Sequence, residues 1–347
     1  MFQPNDQVID YFGRDLLAMP PRAREYQLES AFAYWRMKGF PFPALSGAEI
    51  EEEFLRLKRI PIDTILRGRA IHFSSVGLRL ANVFHPQMWS ARQYGHSKSP
   101  LDHFLDDSVL RKMLTRAMHH WPDRRCWNAQ CLRSALRVYG GGRVANFRPS
   151  AAQALISRYS RDGGHVLDFS AGYGGRLLGA VSLRRTYVGI DADPLQYAGL
   201  RNLWNSVATL ASGKAQIIHR RSEDALKSMP DRCIDLVISS PPYFSQEHYS
   251  PHTWQSSVRF NTYKNWRDSF LYPVLIECRR ILKRGGHLVL NVKDTRQFPV
   301  AADAAYALKR RLKPIARYRL RMRARPHADL IAANAFGSEP VLIYRRR

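Results

Sequence analysis

The second half of the chain alternates short apolar runs with stretches of helical spacing. His165-Val-Leu-Asp168, Thr186-Tyr-Val-Gly-Ile-Asp191, Ala215-Gln-Ile-Ile-His219, Cys233-Ile-Asp-Leu-Val-Ile-Ser239 and His287-Leu-Val-Leu-Asn-Val-Lys293 each have the length and apolar content of a buried strand. Helical spacing fills 176–183, 194–210, 266–282 and 300–312. Residues 316–323 and 340–344 predict a closing strand pair without a full crossover between them. Strand and helix in alternation predict an α/β fold, here with seven strands.

The first 140 residues follow a different rhythm. Leu28, Ala31, Phe32 and Trp35 fall on one helical face by the i, i+3, i+4, i+7 rule. Gly39-Phe-Pro-Phe-Pro43 stops that helix, and Ser46 with Glu49 predicts a capping box for the next. Residues 61–140 continue as mostly helical, rich in aromatics and histidines. Gly140-Gly-Gly142 breaks the pattern. The division predicted is a mainly helical N-terminal domain, 1–142, and an α/β domain, 143–347.

Charge narrows the partners. The chain of 347 residues carries a formal charge of +25, which marks a polyanion partner, nucleic acid first. Residues 309–347 alone hold 12 Lys/Arg against 2 Asp/Glu. Arg317, Arg319, Arg321 and Arg323 alternate, so on a strand they share one face suited to phosphates; the plain alternative is a solvated charged face. The 4 cysteines do not suggest a disulfide scaffold. His119, His120, Cys126 and Cys131 lack regular zinc spacing, so no metal is expected. No apolar run has membrane-spanning length and no signal-peptide core opens the chain, which reads as cytoplasmic and without membrane contact.

Two short segments carry the chemistry. Asp168-Phe-Ser-Ala-Gly-Tyr-Gly-Gly175 sits between a strand and a helix, where glycines let the backbone approach a ligand. Asp191 follows Gly174 by 17 positions, close to the place of an acid that binds ribose hydroxyls. That much also describes a nicotinamide-dependent dehydrogenase. Ser240-Pro-Pro-Tyr243 at a strand end is more specific. Two prolines remove two N–H donors and stiffen the turn. The Ser240 hydroxyl and the Pro241 carbonyl then form fixed acceptors for an amino group, and Tyr243 offers a face for stacking.

Asp168-Phe-Ser-Ala-Gly-Tyr-Gly-Gly resembles the S-adenosylmethionine motif of class I methyltransferases, and Ser240-Pro-Pro-Tyr243 resembles the catalytic motif of amino-methylating DNA methyltransferases, in the serine form usual for N4-cytosine enzymes. The resemblance spans roughly residues 145–347. It departs in the glycine motif, where Ser170-Ala171 separates Phe169 from Gly172. It implies a Rossmann-like seven-stranded sheet, mostly parallel with an antiparallel final strand, and S-adenosylmethionine as cofactor. It implies Ser240, Pro241, Pro242 and Tyr243 as catalytic residues. Asp168, Ser170, Ala171, Gly172, Gly174 and Asp191 would hold the cofactor. Asp224, or Glu223, would meet the adenine amine, with Ser222 as the plain helix cap in the alternative. Phe147, with Arg148 and Pro149, would line the methionine end. Aromatics of the 244–262 loop, among them His248, Tyr249, His252 and Trp254, would wall a pocket for a flipped base.

The function expected is methylation of an exocyclic amine in DNA, N4 of cytosine first, as in restriction-modification systems. N6 of adenine and RNA bases are the enzymatic alternatives. An inactive nucleic-acid-binding protein is the other class; the intact motifs oppose it. Residues 1–142 would recognise or clamp the target, with scaffolding or oligomerisation as the equal alternative. Cytosine C5 chemistry needs a cysteine after proline, and no Pro-Cys occurs.

Overall fold

The computed structural model describes residues 6–139, 144–309, 311–321 and 338–347. The expected boundary after residue 142 and the fourth arginine of the row, Arg323, lie outside them. The chain divides into two compact units. One comprises Met1–Ala44, Pro86–Ala145 and Glu247–Tyr249; the other comprises Leu45–His85, Asn146–Gln246 and Ser250–Arg347.

The first unit is helical. Helices Gly13–Ala18, Pro21–Lys38, Asp107–His120 and Ala129–Tyr139 enclose a core of Leu16, Trp35, Leu114 and Trp127. Ala31 and Trp35 are buried as the spacing predicts, with Leu28 and Phe32 packed partly against them. The two indoles are satisfied: Trp35 Nε1 donates to the Trp127 carbonyl and Trp127 Nε1 to that of Leu114, each at 3.0 Å. Gly39, at φ 78°, ends the helix before it.

The second unit is built on one sheet. Its core strands are β1 (His165–Asp168), β2 (Thr186–Asp191), β3 (Lys214–His219), β4 (Ile234–Ser239), β5 (Leu282–Asn291), β6 (Lys313–Arg321) and β7 (Ser338–Arg345). They run in the order β6-β7-β5-β4-β1-β2-β3. β1 to β5 pair in parallel, and β7 is antiparallel to both neighbours. This is the Rossmann-like arrangement the resemblance implies. The order reverses at β1 and β4, so a crevice opens at their carboxyl ends. Residues on alternate sides of β1, Val166 and Leu167, enter two separate cores, which explains the uninterrupted apolar runs.

Two expectations are corrected. Among the described residues the sheet has nine strands: Leu66–Arg67 and Ala70–Ile71 form a hairpin that adds to β6, Ala70 beside Arg319 and Ile71 beside Leu320. Ile71 is fully buried, and that tertiary contact overrides the helical reading of this stretch. Residues 45–85 also belong to the α/β unit, where Phe54 and Leu57 are buried in the core of Leu155 and Leu177. Their helix, Gly47–Arg59, starts on the expected capping box: Glu49 N–H donates to Ser46 Oγ at 3.3 Å, and Ser46 N–H to the Glu49 carboxylate at 2.8 Å.

Candidate active site

The crevice is organised by a buried carboxylate. Asp168 ends β1 with no exposure and accepts four hydrogen bonds. The donors are Ser170 N–H at 3.2 Å, Arg176 Nε at 2.6 Å, the Tyr187 hydroxyl at 3.0 Å and the Ser239 hydroxyl at 2.7 Å. Arg176 also donates to the Ser170 carbonyl at 2.5 Å. Asp168 thus joins β1, β2, β4 and the first helix after the glycine turn. A carboxylate so saturated orders the loop from beneath, and the cofactor contact expected of it is not made available.

The two glycines of the turn have different reasons. Gly172 has φ 56°, and a Cβ there would meet only the Ser170 carbonyl oxygen, at 3.8 Å. It borders open space. Gly174 has φ 76°, but its Cβ would strike Leu203 Cδ2 at 2.4 Å. It is a packing glycine that faces inward and precedes helix Gly175–Val181. Gly175 lies under Phe147, whose carbonyl oxygen would be 1.7 Å from a Cβ. Asn146 holds that strand of chain in place, its side-chain amide donating to the Tyr173 carbonyl at 2.8 Å. The Phe147 backbone thus lies against the glycine turn.

These geometries separate two substitutions. Gly174→Ala is expected to destabilise by about 2–4 kcal/mol, from the left-handed φ and the overpacking. That lowers the thermal midpoint by roughly 4–16 °C. Gly172→Ala is expected to cost only about 1–2 kcal/mol, from its left-handed φ, with no overpacking, and to weaken nucleoside-ligand binding. Thermal unfolding and calorimetric titration of S-adenosylmethionine on both variants check this; equal loss of stability in the two would contradict it.

Asp191 ends β2, half-buried. Its carboxylate accepts from Gly172 N–H at 2.8 Å and Asp193 N–H at 3.1 Å. Burial pushes the carboxyl up to about 7 against the opposing pull of those two donors. Ala171 is buried and donates its N–H to the Ile190 carbonyl at 3.0 Å, while Ser170 is half-buried at the rim.

The Ser240–Tyr243 turn leaves β4 beside these groups. Ser240 is half-buried, with its hydroxyl 3.5 Å from that of Tyr243. Tyr243 donates to the Asn291 carbonyl at 3.3 Å, which ties the turn to the end of β5. Tyr243, expected to offer a face for stacking, is only 8% exposed and belongs to the same core cluster as Phe244 and Trp266. Lys293 lies 5.9 Å from the centre of its ring and pairs with Glu339 at 2.6 Å.

Other expected residues separate. Asp224 is exposed, whereas Glu223 is buried and ion-paired with Arg259. Ser222 is not the helix cap; its hydroxyl donates to the Phe169 carbonyl. His248 and Tyr249 belong to the helical unit, where Glu247–His248 pairs with Arg92–Gln93. Trp254 stacks on His252 with centroids 4.2 Å apart, and the following residues return to the crevice. There Gln255 donates to Asp193 at 3.1 Å. Spacing signalled none of Arg176, Tyr187, Ser239 or Gln255, because each meets its partner through the fold. Arg317, Arg319 and Arg321 are exposed on one face of β6.

Residues 234–332, which include this turn, match the family model described as DNA methylase. A type II beta methyltransferase, M.BslI, from Bacillus sp. (strain NEB-606) is 31% identical over 84 residues, 24% of this chain and 8% of that protein. The chain spans under a tenth of the length of this curated relative. Among solved structures, TrmN from Thermus thermophilus covers 57% of this chain and 49% of its own at 17% identity and TM-score 0.41. An S-adenosylmethionine-dependent methyltransferase from Methanosarcina mazei covers 55% and 96% at 14% identity and TM-score 0.39. Among the described residues no helix is long and apolar enough to cross a membrane, and no three His, Cys, Asp or Glu side chains group as metal ligands.

Proposed function

We propose that this chain is an S-adenosylmethionine-dependent methyltransferase acting on an exocyclic amine of a DNA base, N4 of cytosine first. The observation that carries this reading is the Ser240-Pro-Pro-Tyr243 turn, leaving β4 next to the glycine turn of β1 within a segment matching the DNA methylase family.

The residues present fit the cofactor. Gly172 leaves an open cradle at a left-handed turn, and the half-buried Asp191 carboxylate suits two hydroxyl donors. S-adenosylmethionine, when bound, supplies a methyl group made reactive by its sulfonium. The protein's part is to position the amine. The lone pair of a base amine is delocalised into the ring. The Ser240 hydroxyl and the Pro241 carbonyl, accepting from the two N–H bonds, hold the nitrogen so that its lone pair leaves the ring plane and faces the donor. Pro241 and Pro242 keep the turn stiff, and Tyr243 fixes it to β5 through Asn291. A duplex target must flip its base to reach this crevice. Arg317, Arg319 and Arg321 contact backbone phosphates in this reading.

Asp191 gives the reading a pH signature. Its raised pKa means the group is protonated below about 7 and ionised above. Acceptance of two ribose hydroxyls needs the carboxylate, so cofactor affinity is expected to rise between pH 6 and pH 8. Asp191→Asn is expected to bind weakly and without that rise. Calorimetric titration across the range checks this, and an unchanged affinity in Asp191→Asn would contradict it.

Transfer itself is tested with methyl-labelled S-adenosylmethionine offered unmethylated DNA and total RNA in parallel. Label in DNA supports the proposal. Label confined to RNA moves the enzyme to RNA bases, and binding of a nicotinamide cofactor without transfer overturns the methyltransferase reading.

A further inference from the structure

The hairpin Leu66–Ile71 extends the sheet past β6. Its register places its side chains. Arg67 lies opposite Ala70 in the hairpin, and Ala70 lies beside Arg319 of β6. Side chains in register across a sheet point to the same side, so Arg67 shares a face with Arg319, and through the two-residue period with Arg317 and Arg321. Arg69, at the turn next to Gly68 with φ 54°, is exposed, and its carbonyl accepts from Arg319 N–H at 2.9 Å, which sets it beside the β6 row.

On that face Arg67, Arg317, Arg319 and Arg321 are exposed. On β7, Leu342 is half-buried and packs against the core of the second face, and the next row of side chains, on β6, is exposed arginine. The opposite face of the same strands is core, with Tyr318, Leu320 and Ile71 buried together. The hairpin is therefore anchored on one side and presents cations on the other. Among the described residues, none of Arg67, Arg69, Arg317, Arg319 and Arg321 forms an ion pair. His72, after the hairpin, has its pKa lowered by desolvation and by the nearby charges of Arg321 and Arg67, which places the two strands' cations within electrostatic reach.

The row also leads to the catalytic edge. Arg321 pairs in register with Ser338 at the start of β7, and the next residue, Glu339, holds Lys293 beside Tyr243. A backbone lying along this face would run from the crevice outward over the hairpin.

We infer that the Leu66–Ile71 hairpin is a nucleic-acid-contacting element, in which Arg67 and Arg69 bind phosphates and widen the arginine row of β6 into a single surface. The inference rests on the proposal that the substrate is nucleic acid, and its test separates the two. Affinity for a labelled duplex DNA is measured against NaCl concentration in the full-length protein. Each phosphate contact contributes a slope of about −0.9 in log K against log salt, so Arg67→Ala with Arg69→Ala is expected to shallow the slope by about 1.8. Arg317→Ala with Arg319→Ala is expected to do the same. The charge-keeping pair Arg67→Lys with Arg69→Lys is expected to retain the wild-type slope, which a purely structural role for these arginines would not require. An unchanged slope in the hairpin alanine variant, with the β6 variant reduced, overturns the hairpin assignment and leaves the nucleic-acid reading standing. Absence of salt-dependent binding to DNA and RNA by the wild type overturns both.

Discussion

Replacing Asp168 with alanine is expected to lower the thermal midpoint by roughly 6–20 °C. The substitution leaves the Arg176 guanidinium buried without its carboxylate, along with two buried hydroxyl donors, Tyr187 and Ser239. Breaking one side of a buried ion pair costs about 3–5 kcal/mol. For a domain of this size each kcal/mol moves the midpoint by about 2–4 °C. Asp168→Asn keeps a side-chain acceptor and loses the charge, so its effect is expected to fall between wild type and alanine. Thermal unfolding followed by circular dichroism reads both. A midpoint within 2 °C of wild type for Asp168→Ala would contradict the assignment of Asp168 as the tie between β1, β2 and β4.

Ser240→Ala is expected to lower the turnover number for methyl transfer by about 10²-fold, the cost of mispositioning a reacting group by about an ångström. The Ser240 hydroxyl is 3.5 Å from that of Tyr243, and Tyr243 keeps its hydrogen bond to Asn291 without it, so the fold is expected to survive. The affinity for S-adenosylmethionine is expected to stay within about twofold, since the donor-holding residues lie on β1 and β2. Single-turnover rates with saturating donor, beside calorimetric donor affinity, distinguish this outcome. Equal loss of turnover and donor affinity would place Ser240 in the donor site instead of against the amine.

Much of this was legible in the sequence wherever a physical signal is local. β1, β2, β4 and β5 are buried on both faces, so their residues form continuous apolar runs that need no partner to be recognised. The Ser46–Glu49 box is closed within four residues. Gly172 and the prolines after Ser240 announce backbone constraints by residue type alone. The predicted helix over 266–282 was right in place but not in form. Pro273 has no N–H to donate, and the π-helical turn Arg267–Leu271 precedes it between helices Tyr263–Trp266 and Tyr272–Ile281.

What the sequence concealed depends on distant partners. The Leu66–Ile71 hairpin has strands of two residues, too short to show a period, and its arginines look like any polar turn until β6 lies beside them. Gly174 resembles a ligand-facing glycine because its neighbour Leu203 is 29 positions away. Arg176 reads as a surface cation in a basic chain, yet it is buried because Asp168 is there to receive it. Tyr243 at a strand end reads by residue type as a face for stacking, and only the packing of β5 reveals that its hydroxyl and ring are largely enclosed.

The central claim is that the crevice delivers a methyl group to the amine of a base. It is tested most directly by digesting DNA treated with the protein and labelled S-adenosylmethionine to nucleosides, then identifying the labelled species by mass and chromatography. The account predicts N4-methylcytosine, and N6-methyladenine would keep the amine chemistry while changing the base. Label on a ring carbon, as 5-methylcytosine, would contradict the account, because Ser240 and Pro241 can position an amine but supply no nucleophile for carbon methylation.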